Sequence, residues 1–434
     1  MTDTRARDAA PQAFVDSRRG EWVALTTRSA DQLGRVTDLD RAVRRYGADA
    51  LQPLLDGCLT ADDLGRSVLE DFVDIGIMDG RRMLTKALDD GIESVDGAPG
   101  SLVALFDQLD HPPAWVDWEQ LRRGSIAYFR AGPLVSFALT CSVIAGSERA
   151  YGISRSVVFT GRLDAKAYVR AKETTRWLVA AGRPDGMRRD SEGFKLTVQV
   201  RLLHAMVRRS ISRSPHWDWD AWGMPLADID GLYAISYDFT EAMVDALAKV
   251  GVAFSDQELE DVYALWRYIG WVMGVPDQLL HRDRAEGRKF AAMYLDLDPG
   301  PDDGCRALMH SLIRLATPEA SDQKLDVFPK IVTTLLPPLR LRKLLYGFTR
   351  YWAGDEVADQ LQVPDDAWKH VPRLVRPAVQ ARELARRLFH SDDHKACMKT
   401  LKLLELAARP ENDETTIAPP DEVVAAIEAR TAAP

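Results

Sequence analysis

Strand-like alternation is scarce in this chain, and that limits its fold more than any other feature. Apolar residues recur instead at the three- and four-residue spacing of helices with one buried face. Segments of this kind run from Thr60 to Leu88, Leu102 to Leu109, Trp118 to Gly132, Phe239 to Val250, Asp256 to Met273 and Asp302 to Ala316, punctuated by glycine and proline. Ser255 and Glu258 stand three apart at one such start, the spacing of a capping box. The stretch Gly182 to Gly193 (GRPDGMRRDSEG) has the composition of a loop. No repeat or low-complexity tract interrupts the pattern. The expectation is an all-α protein with one large helical domain over residues 21–408, a flexible N-terminal segment over 1–20 and a flexible, proline-rich tail over 409–434.

A chain of 434 residues that is 46% hydrophobic can bury a sizeable core. Its net charge of −9 argues against nucleic acid as the main partner. The four cysteines (Cys58, Cys141, Cys305 and Cys397) form no C-x-x-C pair for zinc and no C-x-x-C-H for covalent haem attachment. Arg18-Arg19 is a twin arginine, but no apolar stretch of the kind export requires follows it, so a cytoplasmic location is expected. The longest apolar run, Ala131 to Gly146, contains Pro133 and Ser142 and is short for a membrane span, which favours a buried helix.

The segment with the most chemistry is Val198 to Arg209 (VQVRLLHAMVRR). On a helix, residues three and four apart share a side, which groups Arg201, His204 and Arg208 with Val200, Val207 and Ile211. If that side packs inward, imidazole and guanidinium groups enter apolar surroundings and need partners. A metal or haem iron would take the imidazole, and haem propionates would pair with the arginines. An ordinary hydrogen-bonded histidine satisfies the same pattern. Among the other histidines, His390 and His394 are four apart near Ser391-Asp392-Asp393, without the glutamate of H-E-x-x-H. No E-x-x-H, phosphate-binding loop or D-D-x-x-D spacing occurs.

Upstream, Val158 to Leu163 leads into a helical segment from Ala167 to Trp177 with Arg170 and Thr174 on one side. An arginine and a threonine four apart, a linker, then an R-x-x-H-A-x-V-R helix: this order resembles the haem-dependent rubber oxygenases, or latex clearing proteins, whose wider family includes the membrane-associated oxygenase of mycophenolic acid biosynthesis. Trp266 to Pro276 (WRYIGWVMGVP) is similar to the family's aromatic, glycine-containing helix, and Leu335 to Arg340 with Ala353-Gly354-Asp355 is a fainter echo. The resemblance spans roughly residues 100 to 370. It implies a globin-like helical core with additional helices, non-covalent haem b with iron on His204, dioxygen as co-substrate, and oxidative cleavage of an isoprenoid carbon–carbon double bond to a ketone and an aldehyde. Position by position, Arg201 and Arg208 match the arginines that flank the ligand and fix the haem. Arg170 and Thr174 match the motif residues beside the haem, in an oxygen-side or propionate role.

The match departs from the rubber-cleaving members at one position. They place a lysine directly before the threonine, where this chain has Glu173, with Lys172 one step earlier. Together with a cytoplasmic location, this favours a small isoprenoid or other lipophilic alkene over the polymer. Glu148 and Glu173 are candidates for a substrate base, against surface or salt-bridge roles that suit each better. Trp217, Trp219 and Trp222 either line an apolar channel or anchor a loop. Leu339 to Tyr346 is a basic amphipathic stretch, compatible with peripheral membrane contact or with an ordinary solvated helix. Two other functions stay open: a haem-free helical protein that binds an apolar ligand, and a haem peroxidase or monooxygenase on the same fold.

Overall fold

The computed structural model of the chain describes residues 30–159, 165–317 and 338–408. Both predicted flexible ends, and residues 335–337 of the Leu335 to Arg340 stretch, lie outside them. Among the described residues every regular element is a helix.

The helix limits follow from local chemistry. Ser255 and Glu258 form the expected capping box at the head of the Asp256–Val272 helix. The Ser191 side chain accepts from the Phe194 N–H and opens the Glu192–Ser212 helix, which makes 183–191 the loop between two antiparallel helices. Asp62 caps the Asp63–Ile75 helix by accepting from the Gly65 N–H at 3.1 Å. The pattern from Thr60 to Leu88, read as one helix, is two. Gly76 sits at φ +98°, so the chain turns there and starts again as the Ile77–Asp90 helix.

One apolar core extends from Leu33 to Leu404, with a smaller cluster around Ala358 and Leu361. At its centre the Glu192–Ser212 helix packs against the Asp63–Ile75, Ala165–Gly182 and Asp256–Val272 helices. The Trp118–Phe129 helix lies close along Asp256–Val272 because Gly124 has no side chain. A Cβ there would stand 2.1 Å from the Asp261 carbonyl oxygen.

The apolar run from Ala131 to Gly146 is built as Pro133–Ala138, a π-helical turn Leu139–Val143 and Ile144–Arg149. Val135, Ala138, Cys141 and Ala145 are all buried. Among the described residues no single helix is long and apolar enough to cross a membrane. The bent pair Trp118–Phe129 and Pro133–Arg149 passes on length and composition together, with an 85° bend. The basic stretch from Leu339 to Tyr346 belongs to the Pro338–Ala353 helix, where Leu341, Leu344 and Leu345 turn into the core.

Candidate functional site

The motif from Val198 to Arg209 lies within the Glu192–Ser212 helix, and the helix divides it between two environments. Val198, Arg201, Leu202, Ala205, Arg208 and Ile211 are buried. Val200, Leu203, His204, Met206 and Val207 are half-buried. The two arginines, seven residues apart, point the same way. His204 is three residues past Arg201 and so lies about 60° round the helix, on the more open edge.

Arg201 is 2% exposed and fully engaged. Its Nε and Nη2 each donate to Asp62 at 2.7 Å, and Nη1 donates to Gln108 Oε1 at 3.1 Å and to the Val272 carbonyl at 3.3 Å. Burial pushes the Asp62 carboxyl up, but the Arg201 charge and hydrogen bonds outweigh it and hold the group below its ordinary range. The carboxylate that caps one helix thus pins the histidine helix to it. Gly274, from the aromatic motif, makes room. It sits at φ +93°, and a Cβ there would lie 2.6 Å from Asp62 Cγ and 2.7 Å from Arg201 Nε.

Arg208 donates to the Pro225 carbonyl at 3.2 Å and the Leu226 carbonyl at 3.0 Å, while its Nη1 is buried with no hydrogen-bond partner. Burial lowers the pKa of this guanidinium, against the attraction of Asp62 and Asp228. Burial also pushes the Asp228 carboxyl up to about 7, against a hydrogen bond to Thr60 and the Arg208 charge. Beneath the histidine edge lies a set of ionic groups, and nothing in the motif itself signals its acidic members.

Arg170 and Thr174 are carried by the Ala165–Gly182 helix. The Arg170 side chain lies outside the described residues, and Thr174 is exposed. This helix meets the histidine helix where Trp177 Nε1 donates to Thr197 Oγ1 at 3.0 Å. Seven residues from that contact, two turns along either antiparallel helix, stand Arg170 and His204. The backbone register therefore sets the two motifs level with each other.

Glu148 is not the surface residue that its sequence neighbours suggest. It is 5% exposed, and Ser154 Oγ donates to its Oε2 at 2.7 Å. Nearby, Asp238 is fully buried at the end of a second π-helical turn, Ala234–Asp238. Ser147 Oγ donates to Asp238 Oδ2 at 2.8 Å, and Oδ1 has no partner. Burial, with Glu148 close by, holds the Asp238 carboxyl well above the usual range. Glu173 is half-buried.

Trp217 is buried, donates to the Gly223 carbonyl at 2.9 Å and packs edge-on to Trp222 and Phe159, with centroids 4.8 and 5.2 Å away. That is the geometry of a loop anchor; Trp219 is half-buried beside it. His281 is fully buried between Ser236 and the Tyr263 carbonyl, and burial lowers its pKa to about 4. His390 lies beyond the end of the Val371–Leu388 helix and His394 within Asp393–Ala408, so they do not share a helix face. The four cysteines are buried thiols.

Residues 115–388 match the family model of the ER-bound oxygenase mpaB/B'/rubber oxygenase catalytic domain. The chain belongs to this family. Among curated proteins it is similar to the rubber oxygenase of Streptomyces sp. (strain K30), 24% identical over 280 residues, a match that spans 61% of each protein. Among solved structures it is similar to latex clearing protein in its closed state. That match covers 87% of this chain and 96% of that one, with a TM-score of 0.62 and 19% identity, so the two share a fold. The resemblance read from the R-x-x-H-A-x-V-R helix and the Arg170/Thr174 segment therefore named the right family, and the expected all-α domain is the one observed.

The residues present fit a haem. His204 offers an imidazole on a half-open edge beside the apolar Val200, Leu203 and Val207. One turn further along the same helix, the unpartnered Nη1 of Arg208 offers a buried cationic donor of the kind a propionate takes. Arg201, by contrast, already has its hydrogen bonds within the protein.

Proposed function

We propose that this chain is an oxygenase that holds haem b non-covalently through His204 and uses dioxygen to cleave a carbon–carbon double bond in an isoprenoid or similar lipophilic alkene. The observation that carries the reading is the edge of the Glu192–Ser212 helix. There an imidazole in half-open apolar surroundings is set level with the Arg170/Thr174 segment and backed by an arginine clamped to Asp62. When bound through His204, the haem would supply the iron chemistry that activates dioxygen.

The chain's own residues set the conditions around it. In this reading Arg201 is a positioning residue: its pair with Asp62 fixes the rotation of the histidine helix and hence the direction of the imidazole. Arg208 contributes a cation toward a propionate. Arg170 and Thr174, on the segment level with His204, would set the polarity where dioxygen or a propionate meets the protein. The half-buried apolar side chains beside His204 suit an alkene better than a polar substrate. The rubber oxygenase of strain K30 supports this substrate class through its name alone, and Glu173 before Thr174 favours a small alkene over a polymer.

Cleavage of a trisubstituted alkene by one dioxygen gives one ketone and one aldehyde, each carrying one oxygen atom. Incubation of the haem-loaded protein with a panel of short isoprenoid alkenes under labelled dioxygen tests this directly. The expected result is one labelled oxygen in each carbonyl product, read before exchange with water. An epoxide or alcohol with a single labelled atom would replace the reading with monooxygenase chemistry.

A further inference from the structure

The Val371–Leu388 helix near the C-terminus has two unlike sides. Its inner side is firmly held. Pro372, Val379 and Glu383 are buried, and Arg130 Nη1 donates to Glu383 Oε2 at 3.2 Å. Arg382 donates to the carbonyls of Ala131 and Arg130 at 3.1 and 3.2 Å, and Arg386 bridges Glu383 and Asp393 at 3.0 and 2.7 Å.

Its outer side carries large apolar groups in water. Leu374 is 78% exposed, Leu384 59%, Leu388 65% and Phe389, just past the end, 81%. With the exposed Pro377 and Ala381, the helical positions run i, i+3, i+7, i+10 and i+14, a continuous line along one face. Other exposed large apolar side chains among the described residues are dispersed over several elements. Exposed Arg373 and Arg387 flank the line on one side, Arg376 sits further round beside Gly251, and the helix's lone acid, Glu383, is turned inward. In a chain of net charge −9 this is a local reversal of sign.

We propose that this face is a docking surface for an anionic lipid bilayer. Leu384, Leu388 and Phe389 would enter the boundary between headgroups and acyl chains, with the arginines on lipid phosphates. An apolar apex with cations along its margin is the layout of a helix that lies in an interface, where arginine stems bury while their heads reach the phosphates. Charge argues against a second copy as the occupant, because a two-fold contact through this face would set arginines against arginines. The surface is not the stretch from Leu339 to Tyr346, whose leucines largely point into the core. It does not depend on His204 or on haem.

Co-sedimentation of the purified full chain with vesicles tests the proposal. One set contains equal parts phosphatidylglycerol and phosphatidylcholine, the other phosphatidylcholine alone. Binding is expected to the anionic vesicles and to weaken with salt. It should fall about fivefold for each arginine removed in Arg373→Gln and Arg387→Gln. It should be largely lost in the combined variant Leu384→Gln, Leu388→Gln and Phe389→Gln, whose thermal unfolding should match the wild type because these side chains are already in water. Any of three results overturns the proposal: no binding to anionic vesicles, equal binding by the combined variant, or a concentration-dependent dimer that the combined variant abolishes.

Discussion

Replacing Asp62 by asparagine removes one charge and keeps the shape of the side chain. Arg201, 2% exposed, would lose the partner that receives two of its hydrogen bonds at 2.7 Å. Removing one member of a buried pair costs about 3 to 5 kcal/mol, most of it the penalty of a buried charge left alone. Asparagine is as good an N-cap as aspartate, so the cap to Gly65 survives, whereas Asp62→Ala should lose about 1 kcal/mol more. For a protein of this size the asparagine variant should melt roughly 5 to 10 °C lower. The combined variant Asp62→Leu with Arg201→Met should recover most of the loss relative to Asp62→Leu alone, because both charges then leave the interior.

The pH dependence has a fixed sign. The Asp62 carboxyl is held below its ordinary value in the folded state, so its contribution is present above about pH 3.9 and is lost as the pH falls through the folded value. Differential scanning calorimetry across that range, on wild type and Asp62→Asn, reads both effects. A loss below about 1 kcal/mol, or a combined variant no more stable than Asp62→Leu, would refute the claim that this pair holds the histidine helix.

Gly274→Ala should cost about 2 kcal/mol or more in chemical denaturation, because φ is +93° and the new Cβ would meet both Asp62 and Arg201. The same change together with Asp62→Leu and Arg201→Met should cost less, since the crowded groups have gone. His281 must be neutral in the folded protein, its pKa lowered to about 4 by burial. Stability tied to it is therefore present above its unfolded value of about 6.5 and falls as the pH drops from there toward 4. His281→Gln should melt lower at neutral pH but with a flatter dependence over that window, as melts in a buffer series will show.

Much of the fold was legible because helical periodicity and capping are local. The Ser255/Glu258 box, the loop after Gly182 and the helix around His204 all stand where the sequence put them. The break at Gly76 was not, since the apolar spacing continues across it and only a backbone angle ends the helix. The π-helical turns at Leu139–Val143 and Ala234–Asp238 likewise have no compositional signal.

At the site, the motif located His204 and both arginines on one side, and the fold divides that side into a buried line through Arg201 and Arg208 and a half-buried edge that carries His204. The acids were harder still. Asp62 lies 139 positions from Arg201, and Asp238 lies 90 from Glu148, so tertiary packing alone brings them together. Glu148 reads as a surface residue because Ser147 and Arg149 flank it, yet its place on the Ile144–Arg149 helix puts it on the same side as the buried Ala145.

The central claim is that His204 anchors a haem. The measurement that tests it most directly is the absorption spectrum of the protein purified from haem-supplemented cells, before and after dithionite and carbon monoxide, beside His204→Ala with its helix content checked by circular dichroism. The account predicts a Soret band in the wild type that is lost in a variant of unchanged helicity. Stoichiometric haem in the variant, or no band in the wild type, would contradict it.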